Sequence, residues 1–139
     1  MTGSYSKPLP IPQPESDHFW QAAKEGRLAL QKCSDCSEFQ FYPRVFCTSC
    51  DGRSLTWVDS SGRGSLFTFA IVHAPPHPGF AGDVPYMTAI VELEEGPMLP
   101  SNIVGVEPEP QNLNIGMPLE VVFDAVTDEI TLPRFRPAK

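Results

Sequence analysis

Alternation of apolar and polar side chains runs through the second half of the chain and predicts β-strands. In the segment 86–94, every second residue from Met87 to Leu93 is apolar, whereas Glu92 and Glu94 point the other way. Similar patterns predict five strands, over residues 65–73, 86–94, 102–106, 118–126 and 130–135. The first of them is apolar on both faces. Five strands joined by Gly and Pro turns are typical of a small closed or partly open barrel, since a sandwich normally has about seven.

The first half of the chain predicts a helix and a ribbon. Ser16 or Asp17 can begin a helix that ends near Glu25, with Gly26 as its stop signal. Its apolar side carries Phe19, Trp20 and Ala23, and a single helix of about ten residues is stable only if such a face is buried. The face lies in the core or in an oligomer contact. Short strands are predicted over 27–32 and 55–58.

Proline at every second position from Pro8 to Pro14 precedes this helix and excludes both a helix and a central strand. An extended polyproline-like arm is expected, with Leu9 and Ile11 as its apolar side chains, lying on a partner or on its own domain. The chain is thus mainly β and divides into three parts. These are the Pro-rich arm, 1–15, the helix with the ribbon, 16–61, and a barrel with a basic C-terminal tail, 62–139.

All four cysteines of the chain lie in two C-x-x-C pairs, Cys33 with Cys36 and Cys47 with Cys50, ten residues apart. This spacing is typical of a tetrahedral four-cysteine zinc site of structural type. Iron is the alternative, because four thiolates also hold a rubredoxin-type iron. Disulfides would need an oxidising compartment, and the chain opens with no signal peptide. Neither pair lies in the βαβ context of a thioredoxin-like redox motif. With its thiols given to a metal, the protein is expected in the cytoplasm.

Charge is distributed unevenly and limits the classes of partner. The net charge is −7, and from Gly64 to Pro133 there is no Lys or Arg against ten carboxylates. Because Lys and Arg supply affinity for a phosphate backbone, this argues against nucleic acid. No apolar run approaches the roughly 18 residues of a membrane span.

The long loop 73–85, rich in proline and glycine, has the length typical of a binding or lid segment. His73 and His77 lie in it and could act as acid or base near neutral pH. No companion nucleophile is placed by the sequence, and phosphate-loop, dinucleotide, G-x-S-x-G and H-E-x-x-H motifs are missing. The pattern favours a binding or scaffolding module over an enzyme.

Several short motifs in a fixed order carry a family resemblance. They are Phe19-Trp20 with Gly26, the two C-x-x-C pairs with Tyr42-Pro43-Arg44 between them, Trp57 with Ser61-Gly62-Arg63-Gly64, Pro85-Tyr86, Val91-Glu92-Leu93, Ile115-Gly116-Met117-Pro118 and Leu132-Pro133-Arg134-Phe135. In this order the chain resembles the acyl-CoA-associated OB-fold family with a rubredoxin-like zinc ribbon, once catalogued as domain of unknown function thirty-five. One departure is Ser37, where the family usually has glycine after its second cysteine. Serine there implies modest strain at a positive φ.

The resemblance implies a small accessory subunit that binds zinc and assembles with a thiolase-like acyl-CoA enzyme as a hetero-oligomer, for example with two of each chain. The partner would carry the catalytic residues and cleave or transfer a steroid side-chain-type acyl-CoA as a retro-aldolase, lyase or thiolase. A hot-dog-fold enoyl-CoA hydratase is the alternative partner. The residues expected to contact the partner or substrate are Phe19, Trp20, Tyr42, His73, His77, Phe80 and Tyr86.

The charge distribution argues against strong CoA binding by this chain alone, because CoA carries a diphosphate and a 3′-phosphate. The segment 64–133 offers no cation to meet these phosphates, so the candidates are Arg44, Arg53, Arg63 and the tail residues Arg134, Arg136 and Lys139. The partner is therefore expected to supply most of the CoA site. Three other functions remain open: a single-stranded nucleic-acid binder using Phe67 and Phe69, a rubredoxin-like electron carrier, and an independent acyl-CoA enzyme using His73 or His77.

Overall fold

A computed structural model describes residues 5–138 and contains one α-helix and eight strands among them. Helix α1 spans Asp17–Lys24, and Gly26 follows it at a φ of +80°. A small antiparallel sheet comes next, with β1 at Ala29–Cys33, β2 at Phe39–Gln40 and β3 at Leu55–Asp59. Its strand order is β2-β1-β3. Within the described residues no helix is long and apolar enough to cross a bilayer.

Five further strands form a closed barrel, which confirms the predicted fold class. They are β4 at Arg63–Val72, β5 at Tyr86–Leu93, β6 at Met98–Ile103, β7 at Pro118–Ala125 and β8 at Thr131–Pro137. The order around the barrel is β4-β5-β6-β8-β7, and only β6 and β8 pair in parallel. Short 3₁₀ helices at Pro78–Phe80 and Pro110–Asn112 interrupt two of the connections.

Two features of the barrel differ from the sequence prediction. Strand β6 runs from Met98 to Ile103, so the prediction of a strand over 102–106 was wrong at both ends. β6 pairs with the backbone of β8 only at Ile103, and a strand with one side largely unpaired tolerates a proline such as Pro100. In β4 the register shifts between Leu66 and Thr68, a β-bulge that leaves Phe67 52% exposed while Leu66 is buried.

One hydrophobic core joins the helix, the small sheet and the barrel. Phe19 of α1 and Leu28 and Leu30 near β1 belong to the same cluster as Leu66 and Phe135 of the barrel. In β5, the alternation predicted from the sequence is confirmed, because Met87, Ala89, Val91 and Leu93 are all buried. The four-cysteine site is thus attached to a barrel with which it shares its packing.

The arm, as far as it is described, lies on the loop that joins β4 to β5. Lys7 Nζ lies 2.6 Å from Asp83 Oδ2, and the same ammonium group lies over the ring of Phe80. Its predicted apolar side chains do not dock there, since Leu9 and Ile11 are exposed.

Candidate metal centre and adjoining groove

The two C-x-x-C pairs fold as two similar knuckles. In the first, the Ser37 N–H donates to Cys33 O at 2.8 Å, and in the second the Asp51 N–H donates to Cys47 O at 2.9 Å. Ser37 and Asp51 both have a φ of 65°, the left-handed conformation that turns each loop back on itself. The positive φ expected at Ser37 is therefore present, and Asp51 has the equivalent conformation.

The knuckles bring the four sulfur atoms within 4.8 Å of one another. The Cys33 and Cys50 Sγ atoms are 3.7 Å apart, and those of Cys36 and Cys47 are 3.6 Å apart. A tetrahedral ion with Zn–S bonds of about 2.3 Å would place its sulfurs about 3.8 Å apart. The donor set and its spacing thus fit one tetrahedral metal ion.

The local environment makes the four thiols unequal. Burial opposes ionisation of Cys47, but backbone N–H groups of Ser49 and Cys50 outweigh it and lower the pKa of this thiol to about 7. The Gly52 N–H favours the Cys50 thiolate, yet the neighbouring sulfur of Cys33 and burial raise its pKa to about 12. Four thiolates this close together are stable only when a cation neutralises them.

Two buried glutamines support the knuckles, and no motif in the sequence indicates them. Gln31 and Gln40 are paired across β1 and β2, and Gln40 Nε2 donates to Gln31 Oε1 at 2.8 Å. Gln31 also binds both the N–H and the C=O of Arg44, and Gln40 Oε1 accepts from the Thr48 N–H at 2.9 Å. These amides hold the segment between the knuckles in place. The contact between Gln31 and Gln40 can be recognised only when the register of β1 and β2 is known.

The aromatic residues predicted to contact a partner are placed differently from one another. Phe19 is 2% exposed and packs in the core against Phe41, so its ring is not on the surface. Trp20 is half-buried and its Nε1–H donates to the Tyr42 hydroxyl at 3.0 Å. Phe80 and Tyr86 stack with ring centroids 5.3 Å apart under the arm.

The two histidines of the loop lie in different surroundings. His73 is exposed, and no hydrogen bond or ion pair joins it to another residue in the part of the chain that is described. His77 Nδ1 accepts the Gly79 N–H at 2.9 Å and so caps the 3₁₀ turn that follows. This hydrogen bond stabilises the loop backbone at residues 77–79.

The candidate arginines separate into two groups. Arg134 Nε lies 2.8 Å from Asp124 Oδ2, and Arg136 Nε lies 2.7 Å from Glu120 Oε2. Arg44, Arg53 and Arg63 are exposed and make no ion pair with the described residues.

A groove runs along the outer side of β6 and β8, and we call it the β6–β8 groove. It consists of a larger hollow of about 650 Å³ and a smaller one of about 170 Å³. The arm and the Phe80–Tyr86 stack form a wall of the larger hollow, while Trp20 and Tyr42 line the smaller one. Asn102, Leu132 and Arg134 line both, so the two hollows are adjacent at these residues.

Two family models match consecutive parts of the chain. Residues 20–56 match the model described as "ChsH2, rubredoxin-like zinc ribbon domain". Residues 57–124 match "ChsH2, C-terminal OB-fold domain". Together they include both knuckles and most of the barrel.

One solved structure and two relatives with different names are similar to this chain. A solved structure named "Ltp2-ChsH2(DUF35) aldolase" is similar with a TM-score of 0.83 and 35% identity, covering 94% of this chain and 100% of that one. A "DUF35 domain-containing scaffold protein" of Methanocaldococcus jannaschii is 32% identical over 79% of this chain and 77% of its own length. A "Probable enoyl-CoA hydratase alpha subunit" of Thermomonospora curvata is 36% identical over 95% of this chain.

The chain spans only 40% of the length of that hydratase subunit, whereas it spans most of the scaffold protein and all of the aldolase chain. The four-cysteine ribbon and the five-stranded barrel follow each other in the same order as the two matched domains. The chain therefore belongs to the DUF35 family, with the rubredoxin-like zinc ribbon and OB-fold domain described for ChsH2.

Proposed function

We propose that this chain is a non-catalytic accessory subunit of a thiolase-like acyl-CoA enzyme that acts as a retro-aldolase or lyase. The observation that carries the proposal is the likeness to the Ltp2-ChsH2(DUF35) aldolase, which extends over the whole of that chain. The name of that structure joins a DUF35 component to a second component. A steroid side-chain-type thioester is the substrate that the family resemblance implies.

The placement of the chemically able side chains supports a role without catalysis. The four thiols face one another around a single centre, and His77 caps a turn. Within residues 5–138 every buried side-chain nitrogen and oxygen has a hydrogen-bond partner. The reacting groups would lie on the partner.

The four-cysteine centre would hold one structural zinc ion in a reducing compartment such as the cytoplasm. Elemental analysis of protein purified without chelator is expected to give one zinc per chain and a colourless solution. A red protein with one iron would instead support an electron carrier.

Contact with CoA, if this chain contributes any, would come from its free arginines. Arg44, Arg53 and Arg63 are exposed and unpaired among the described residues, whereas carboxylates already neutralise Arg134 and Arg136. Three scattered guanidinium groups would assist a CoA site that the partner mainly builds. Titration of the isolated chain with acyl-CoA is therefore expected to show weak binding, and tight binding would contradict this division.

Co-expression with a thiolase-like chain from the same genome tests the main proposal. The two untagged chains are expected to elute together in equal amounts, with a mass that fits two of each. The complex should cleave a 3-hydroxyacyl-CoA into a carbonyl compound and a shorter acyl-CoA, and neither chain alone should do so. Full turnover by the partner alone would refute the proposal.

A hydratase complex is the second candidate, favoured by the likeness to the enoyl-CoA hydratase alpha subunit. Such a complex would add water to an enoyl-CoA and leave its carbon chain intact. Mass spectrometry of the product distinguishes the two reactions, since hydration adds 18 Da and cleavage shortens the acyl group.

A further inference from the structure

The β6–β8 groove has the size and continuity of a binding site for an elongated small molecule. Its larger hollow, at about 650 Å³, falls within the range of small-molecule sites, roughly 300–1,000 Å³. The smaller hollow extends it past Leu132 toward Trp20. A long ligand could therefore lie in both hollows and cross the residues that they share.

Arg134 occupies that crossing and has unused hydrogen-bonding capacity. Its side chain is only 19% exposed, and two of its five N–H groups are bound, one by Asp124 and one by Asn102 Oδ1 at 2.8 Å. The other three N–H groups have no acceptor among the described residues. Asn102 is itself held through its Nδ2, which donates to Met87 O at 3.0 Å. The guanidinium is thus fixed in direction and open to one more acceptor.

The remaining lining determines what kind of acceptor fits. Val104, Val122 and the Phe80–Tyr86 stack line the larger hollow, and Trp20 and Pro133 line the smaller one. Because Asp124 neutralises Arg134, and Asp83 neutralises Lys7, a polyphosphate would find no net positive charge here. A ligand with one carboxylate needs only the three unused N–H groups of Arg134 as donors, and its apolar groups suit the remaining walls.

We propose that the β6–β8 groove binds an elongated, mainly apolar carboxylate, whose oxygen accepts hydrogen bonds from Arg134. The Pro-rich arm forms part of the site, since Tyr5, Lys7, Pro8 and Pro10 line the larger hollow. This function belongs to the single chain and does not require the partner proposed above.

Decanoate is a suitable probe, and the full-length metal-loaded chain can be titrated with it by calorimetry and by amide NMR. One molecule per chain is expected to bind, with resonance shifts centred on residues 102–104, 122–124 and 132–134. Decyltrimethylammonium has a chain of the same length with the opposite charge. At a net charge of −7, nonspecific attraction would favour the cation, so preference for decanoate identifies the Arg134 contact.

The chain offers a matched control, because Arg134 and Arg136 both lie on β8 and both pair with a carboxylate of β7. Only Arg134 lines the groove. Arg134→Met is expected to weaken decanoate binding at least tenfold, and Arg136→Met less than twofold. Equal losses in both variants, or no saturable decanoate binding in the wild type, would overturn the proposal.

A third variant keeps the test decisive if Arg134→Met fails to fold. Val104→Trp places a large ring in the larger hollow and leaves Arg134 and its partners unchanged. Decanoate affinity is expected to fall at least tenfold in this variant also. Unchanged affinity would place the ligand elsewhere and refute the assignment.

Discussion

Ser37 and Asp51 are the residues on which the shape of the two knuckles depends. Both adopt a φ of 65°, and each follows the second cysteine of its pair. This conformation costs an L-residue roughly 1–2 kcal/mol in steric strain. Glycine has no such strain but loses about 0.5–1 kcal/mol in backbone entropy on folding. Asp tolerates the left-handed region better than Ser, so the first knuckle stores more of this strain.

Ser37→Gly is therefore expected to stabilise the metal-loaded protein by about 0.5–1 kcal/mol, because it removes the left-handed penalty. Chemical denaturation of the metal-loaded protein, followed by circular dichroism, measures the change. Ser34→Gly is the matched control in the same knuckle, since Ser34 is exposed and has no positive φ. It should be neutral or destabilising, and a gain of equal size there would contradict the explanation by strain.

The glutamine pair leads to a second expectation for single residues. In Gln40→Leu, the part-buried Thr48 N–H and Phe46 C=O lose their side-chain partner, and a polar group left unpaired costs up to about 1–3 kcal/mol where it is buried. Supporting contacts of this kind typically change metal affinity 10–100-fold. Zinc affinity, measured by competition with a chromogenic chelator, should fall by at least tenfold. Gln21→Leu on the exposed side of α1 should leave it unchanged.

The metal centre could be predicted residue by residue because two C-x-x-C loops bring four sulfurs together without help from distant parts of the fold. The roles of Gln31 and Gln40 could not, since their contact depends on the register of β1 against β2. Nor could the surroundings of Arg134, whose partners Asp124 and Asn102 lie 10 and 32 positions away. Sites built from residues close together in the chain can be predicted from the sequence, whereas contacts between strands can be identified only once the fold is known.

Strands β4 and β6 show how pairing overrides a local pattern. The alternation in β4 places Phe67 with Phe69 and Ile71, but the bulge turns Phe67 outward, and nothing in the sequence marks that extra residue. In β6, Pro100 pairs opposite Ile90 in a strand whose backbone pairs on its other side only at Ile103. Periodicity predicted the number of barrel strands, whereas the ends of those strands depended on their neighbours in the sheet.

The arm and the β4–β5 loop form one unit through a close backbone approach at Gly79. A Cβ atom on Gly79 would lie 2.5 Å from Ser6 O, a backbone atom that can move only if the arm moves. Gly79→Ala is therefore expected to displace the arm and free Lys7 from Asp83. Acetylation of Lys7, read by mass spectrometry against the exposed Lys24, should become several times faster.

Gly82→Ala is the control for this experiment, because a Cβ atom there meets nothing within 4 Å. It lies in the same loop, so a general loosening of the loop would affect both variants alike. Equal acetylation of Lys7 in the two variants would show that the arm is not held at Gly79.

The packing of the whole molecule argues that the ribbon and the barrel fold together. Their side chains share one core, in which Phe19 and Leu30 lie with Leu66, Val91 and Phe135. Loss of the metal therefore destabilises more than the two knuckles, since the ribbon side chains that pack against the barrel also lose their support. A ribbon that was merely tethered would leave the barrel unaffected.

Removal of the metal with a membrane-permeant zinc chelator under reducing conditions is expected to lower the Tm of the entire chain in one transition. The loss of several kcal/mol should shift it by more than about 10 °C, at about 4 °C per kcal/mol for a domain of this size. Calorimetry measures the shift. Fluorescence of Trp57 in β3, read in a Trp20→Phe background, and amide exchange of Val91 in β5 report the ribbon and the barrel separately. The same chelator preloaded with zinc is the control.

If the ribbon and the barrel share a core, both signals are lost at the same temperature. If the ribbon unfolds first and the barrel still melts at its original temperature, the two parts have independent cores.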